Sequence, residues 1–263
     1  MNITPHLGIG DLLIIKMKQI SNNLIIDCIN INKNLILTYS ENYDIKINFI
    51  TQFILLLFDN VKISINNKNI CNIVDNYNIT NTYIYNYINH NLHCKHNYSN
   101  YIIFHTKLRH DELIDKFNNE ILSLLTIFFK NFKTSKTIIL LGERHIGQNL
   151  ETTIHKTISL YDNLLLLKKN NKIIDLTNDV LTCGNPDFNQ FLLEIEIINK
   201  ALCNITFGIG GPLLICKAFS EQNISFIPFY DISPHKIGIE KIMINNSLVK
   251  TIEELNNTIC KYT

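Results

Sequence analysis

Apolar residues fall along this chain in two alternating patterns, short dense runs and longer stretches of helical period. From Leu12 to about Ile20 the spacing predicts a helix, and Asn23 to Ile31 carries a strand-like run, Leu24-Ile25-Ile26-Asp27-Cys28-Ile29. A helix is predicted from about Tyr43 to Phe58, and alternation predicts a strand over Val61 to Ile65. Residues 66–100 have no clean period and read as loop and short helix.

The pattern then sharpens. Tyr101-Ile102-Ile103-Phe104 predicts a buried strand, about Asp111 to Phe132 a long helix, and Thr137 to Leu141 another strand. Two apolar segments follow, Leu164 to Leu167 and Lys172 to Leu176. Next come a helix from about Asn185 to Leu202, a strand at Asn204 to Phe207, a helix from Pro212 to Phe219 and a strand at Ser225 to Phe229. Residues 250–263 predict a terminal helix. Strands that alternate with helices imply an α/β fold, its parallel sheet covered on both faces. The change in pattern divides the chain into an N-terminal α/β unit, residues 1–98, and a C-terminal one, residues 99–263.

Composition adds constraints. In 263 residues, 46% are hydrophobic, enough for a real core and against disorder. The formal net charge is +1, so no global field favours nucleic acid or an anionic membrane. No basic, aromatic stripe for nucleic acid is visible. No apolar run reaches the roughly 18–20 residues of a membrane span, and no signal peptide is visible. Seven cysteines without a Cys-x-x-Cys pair read as free thiols of a reducing compartment. The expectation is a soluble, cytoplasmic protein. His90, His93, Cys94 and His96 form a tight run, but no second ligand pair at zinc spacing accompanies them, and no metal is expected.

Candidate chemistry sits at strand ends, because ligands of open α/β sheets bind outside the carboxyl edge. Three polar loops qualify. One is His105 to Asp111, with Lys107 and Arg109; the second is Gly142-Glu143-Arg144; the third is Gly208-Ile209-Gly210-Gly211-Pro212. Cations and bare backbone amides together suit a diphosphate. Pro212 fits the first turn of a helix after the glycines. Near the start, His6-Leu7-Gly8-Ile9-Gly10-Asp11 reads as a glycine turn with an acid at a helix head, where Asp11 serves either the helix terminus or a ligand.

These motifs resemble a known family. His6 to Asp11 is similar to the glycine-glycine-aspartate turn that opens heptosyltransferase-like glycosyltransferases of the GT-B fold. Ile174 to Thr177 and Asn204 to Leu213 look like the strand and donor-site turn of that family's C-terminal domain. His105 to Arg109 resembles the first C-terminal strand loop of GT-B enzymes, including the His-x-Arg motif of fucosyltransferases. The resemblance covers about residues 6–20 and 101–230, and its weight lies in the order and spacing of the motifs.

What the resemblance implies is two facing Rossmann-like domains, the N-terminal one reduced. The C-terminal domain would hold a nucleotide-sugar donor and the N-terminal one would present a glycan or other hydroxyl acceptor. Asp11 would be the general base, with His6, Gly8 and Gly10 on the acceptor-side loop. His105, Lys107, Arg109, Gly142, Glu143, Arg144, Gly208, Gly210 and Gly211 would bind the donor and its diphosphate. The implied activity is inverting, metal-independent glycosyl transfer with no further cofactor. Two alternatives stay open: a nucleotide-sugar epimerase of the same fold, and a non-catalytic, degenerate transferase that binds a ligand or a partner.

Overall fold

The computed structural model describes residues 2–3, 9–33, 43–66, 84, 97–106, 119–142, 160–177, 187–208, 211–228, 230 and 247–263. The fold is mixed α/β. A three-stranded parallel sheet is built from β1 (Asn2–Ile3), β2 (Cys28–Asn32) and β3 (Lys62–Asn66) in that order. Its helices are α1 (Ile9–Asn22) and α2 (Tyr43–Leu57).

A six-stranded parallel sheet follows. Its strands are β4 (Tyr101–His105), β5 (Thr137–Leu141), β6 (Ile173–Asp175), β7 (Cys203–Phe207), β8 (Asn223–Phe226) and β9 (Ser247–Val249), in the order β6-β5-β4-β7-β8-β9. Numbered within this sheet, the order is 3-2-1-4-5-6, the doubly wound arrangement whose direction reverses between its first and fourth strands. Around it stand α3 (Asn119–Asn131), α4 (Phe188–Lys200), α5 (Gly211–Phe219) and α6 (Ile252–Ile259).

Side-chain alternation sends each central strand into two cores. Ile102, Phe104, Ile138, Leu140, Ile205, Phe207, Ile224 and Phe226 face α3, the helical residues 160–165 and α6. Tyr101, Ile103, Ile139 and Leu141 face the other way, into a core that also holds residues of α4, α5, α1, α2 and β2. That second core is continuous through both parts of the chain. Phe191 of α4 lies against Phe49 and Phe53 of α2, with ring centroids 5.4 Å apart in each case. Both β4 and β7 are buried at every position; β4 is apolar up to His105, as a strand covered on both faces of a parallel sheet requires, while β7 also buries Asn204 and Thr206.

Local chemistry sets the boundaries. Asn23, Asn60 and Asn100 take left-handed backbone, φ 50 to 54, after α1, before β3 and before β4. Asn23 therefore starts a turn, and β2 begins at Cys28 instead of at residue 23; Ile25, in between, is exposed. Asp187 caps α4 by accepting from the Asn189 and Gln190 N–H groups, and Thr251 with Glu254 forms a capping box on α6. The run Leu164 to Leu167 is helical, ending in the 3-10 turn Leu166–Lys169. β8 spans Asn223–Phe226 where the apolar run predicts 225–229. β9 is a strand that periodicity does not anticipate, because three residues are too few to carry a period. The predicted helical residues 111–118 and most of 66–100 lie outside the described residues. Among the described residues no helix is long and apolar enough to cross a membrane, and Cys28, Cys203, Cys216 and Cys260 are free.

The phenylalanine contacts join helices from opposite ends of the sequence. Phe53→Ala and Phe191→Ala should each cost about 3–5 kcal/mol of unfolding free energy in urea titrations. The doubly substituted chain should fall short of the sum by roughly 0.5–1.5 kcal/mol, and strict additivity would contradict the contact.

Candidate functional site at the carboxyl edge

Several helix starts gather at one end of the molecule. α5 begins four residues after β7 ends, so its N-terminus lies at the carboxyl edge of the six-stranded sheet. α4 ends three residues before β7 begins, so it runs from that edge back to the opposite one. α2 likewise ends just before β3 and starts at the carboxyl side of the small sheet. Phe49 meets Phe188, and Phe53 meets Phe191, so α2 and α4 run in the same direction side by side. α1 and α5 do the same at their starts: a Cβ on Gly10, the second residue of α1, would stand 2.8 Å from Leu214 Cδ1. Both sheets therefore present their carboxyl edges on one side.

At this edge the strand order places β5, β4 and β7 next to one another. The three polar loops of the sequence start from these adjacent strands. Gly142 (φ 113) follows β5 and Gly208 (φ 78) follows β7, both in backbone that side chains with a Cβ rarely adopt. Thr106, fully buried, follows β4 and donates its N–H to Leu141 O at 2.9 Å, while Gly208 N–H donates to Phe226 O at 2.9 Å. Gly211 opens α5 with Pro212 beside it. Lys107, Arg109, Glu143, Arg144 and Gly210 lie outside the described residues, as do His6, Gly8 and the histidine run at 90–96.

His105 lies beneath the edge. It is 4% exposed, and its Nε2 is 2.9 Å from Cys216 Sγ of α5. Burial pushes its pKa down to about 4 and pushes the Cys216 thiol well above its ordinary value. The pair is therefore neutral near pH 7, and His105 adds no cation to the edge. Gly10 and Asp11 also differ from expectation. α1 begins at Ile9, three residues earlier than predicted, so both lie within its first turn and not in a loop before it. An acid there complements the helix dipole, and glycine at position 10 lets α5 approach. Asp11 is half-buried.

Sequence reasoning missed a buried polar seam under α5. On β7 and β8 the residues facing this helix layer are Asn204, Thr206, Asn223 and Ser225, all at most 4% exposed. Asn204 pairs with Asn223 and Thr206 with Ser225 across the strands, and the two hydroxyls are 2.9 Å apart. The Asn204 amide donates to Ile198 O of α4 and the Asn223 amide to Ser220 O after α5. Asn223 Oδ1 has no hydrogen-bond partner among the described residues, an arrangement that costs stability, while the Asn204 side chain also interacts with His105 and favours its charged form. The available signal was the alternation of Cys203-Asn204-Ile205-Thr206-Phe207, which by itself describes a strand with one wet face. Lys217 of α5, 3% exposed, is lowered by burial to about 8.

A second feature of this end is a groove between the first half of α2 and the start of α4. Its volume is about 570 Å³, and Asp44, Ile45, Asn48, Phe49, Gln52, Asp187, Phe188 and Asn189 line it. Among the described residues no group of three metal-binding side chains converges.

The depressed His105 pKa has a consequence for stability. Between pH about 6.5 and about 4 the unfolded chain binds a proton that the native chain refuses, so stability falls as pH falls through this window. His105→Gln should remove up to about 3 kcal/mol of that pH dependence in urea titrations compared across the window. An unchanged slope would place the ring in a solvated environment. No family model matches the chain, and neither a curated protein nor a solved structure was found similar to it.

Proposed function

We propose that this chain is a glycosyltransferase that moves a sugar from a nucleotide-sugar donor to an acceptor hydroxyl, with inversion and without a metal. The observation that carries the reading is the strand order: its reversal between β4 and β7 lies beside the glycine start of α5. A crevice of this kind is where doubly wound sheets receive nucleotides, and a helix N-terminus there favours phosphate.

In this reading the backbone N–H groups at Gly210 and Gly211 hold the diphosphate, and Gly208, its own N–H bonded to Phe226 O, turns the chain towards it. Lys107 and Arg109, which follow Thr106 in the chain, neutralise it as it leaves, and Gly142, Glu143 and Arg144 border the donor from β5. His105 fixes the end of β4 to α5 from below. Cleavage of the glycosyl–phosphate bond places negative charge on the departing diphosphate, and fixed cations stabilise that charge. Asp11, in the first turn of α1 beside α5, takes the proton of the acceptor hydroxyl as general base, from the acceptor side with His6, Gly8 and Gly10. Attack from the face opposite the leaving group inverts the anomeric carbon.

Calorimetric titration with nucleoside diphosphates, followed by a donor-panel transfer assay, tests the reading. The chain should bind at least one nucleoside diphosphate, and Arg109→Ala should weaken that binding roughly 10- to 100-fold through loss of a charge-assisted hydrogen bond. Asp11→Asn should keep donor binding and lose turnover by roughly 10²- to 10⁴-fold. Absence of nucleotide binding, or an Arg109→Ala chain indistinguishable from the parent, overturns the proposal. Donor conversion without any acceptor would assign an epimerase instead.

A further inference from the structure

We infer that the groove between α2 and α4 is a binding site for a neutral carbohydrate, and that it seats the acceptor. The acceptor role rests on the transferase reading; the binding of a saccharide does not.

The groove holds about 570 Å³, inside the roughly 300–1,000 Å³ range of small-molecule sites. Its lining combines three kinds of group. Asn48, Gln52 and Asn189 supply amides, Asp44 and Asp187 supply carboxylates, and Phe188, half-buried, supplies a ring. Gln52 Nε2 donates to Asn48 Oδ1 at 3.0 Å, which orients both amides and leaves the Asn48 N–H donors and the Gln52 Oε1 acceptor for another molecule. A donor and an acceptor held side by side match the neighbouring hydroxyls of a sugar, each of which both gives and accepts a proton. Asp187 Oδ1 is engaged by the α4 N–H groups, which fixes the carboxylate at the groove wall. The Phe188 ring is held edge-on by Phe49, centroids 5.7 Å apart, and offers an apolar surface for the C–H face of a pyranose.

Charge narrows the ligand. Among the described residues the lining includes two carboxylates and no Lys, Arg or His. Asp187 already occupies the N–H groups at the start of α4, so a phosphate or carboxylate ligand would meet the Asp44 and Asp187 charges and gain little from that helix start, which disfavours a second donor site. Asp187 is held by the α4 N–H groups, which leaves Asp44, exposed to water, as the carboxylate for an amine, whereas the three amides and the Phe188 ring together suit a neutral polyhydroxylated ligand. Position supplies the rest of the argument. The groove lies at the starts of α2 and α4, the same end of the molecule as the starts of α1 and α5. Its two walls come from the two parts of the chain, so a bound saccharide touches both.

Saturation-transfer NMR on the full chain tests the inference, with neutral disaccharides of glucose, galactose and N-acetylglucosamine as probes and spermidine and ADP as controls. Saturation should pass to ring protons of at least one disaccharide. It should drop roughly tenfold in the Asn48→Ala, Gln52→Ala double variant and in Phe188→Ala, while ADP signals stay unchanged. Asn48 is exposed and Gln52 half-buried at the surface, so the double variant keeps its fold, checked by an unchanged thermal transition. The proposal is overturned if no disaccharide receives saturation, if the variants leave the transfer intact, or if spermidine binds in a way that Asn48 and Gln52 control. ADP binding with no disaccharide binding removes the groove site and leaves the transferase reading standing. Disaccharide binding with no nucleoside diphosphate binding does the reverse.

Discussion

A parallel sheet must be covered on both faces, and the rest of this molecule depends on how one of those faces is closed. α4 and α5 lie directly on it, and α1 and α2 lie on them in turn. The continuous core from Leu12 and Phe53 through Phe191 and Cys216 to Ile103 and Ile139 is the result. Nothing in the six-stranded sheet alone would bury the outer sides of α4 and α5. The N-terminal segment supplies that cover, and in doing so fixes where its own helix starts stand. Gly10 stands against Leu214 in this packing, and the leucine side chain would have to turn aside for a larger residue, whose Cβ would lie 2.8 Å from Leu214 Cδ1.

The same packing explains why the carboxyl edge is chemically mixed. The edge is held from beneath by polar groups removed from water, His105 with Cys216 and Thr206 with Ser225, while the two asparagines reach Ile198 O and Ser220 O at the opposite ends of α4 and α5. This layer carries a cost, since Asn223 Oδ1 goes unpaired among the described residues. Polar contacts are directional, however, and they fix the rotation of α5 on the sheet in a way that apolar packing does not. The glycine start of that helix is the part the proposed phosphate site needs held still.

Much of the architecture is legible from pattern alone, and some of the site is not. The strand at Thr137–Leu141 matches its prediction residue for residue because it is a pure apolar run between turn signals. The helix at Tyr43–Leu57 departs by one residue. The glycines at 142 and 208 are readable as turns, and positive φ gives the reason for them. By contrast, the pattern starts α1 at Leu12 because Gly10 reads locally as a loop residue, whereas the helix begins at Ile9 and Gly10 faces α5, far away in sequence. His105 reads as a surface cation in a polar loop, yet the strand extends one residue further and takes the ring under α5.

What the sequence determined by itself is the α/β class, the approximate position of most elements, and the three polar loops at strand ends. These follow from periodicity and turn chemistry, which act over a few residues. Only the tertiary structure decided that β5, β4 and β7 are neighbours, that α1 and α5 start side by side, and that α2 and α4 enclose a groove. It also decided that the alternating polar positions of β7 and β8 are buried. Those outcomes depend on which apolar surfaces cover one another, a competition across the whole chain that no local window of sequence contains.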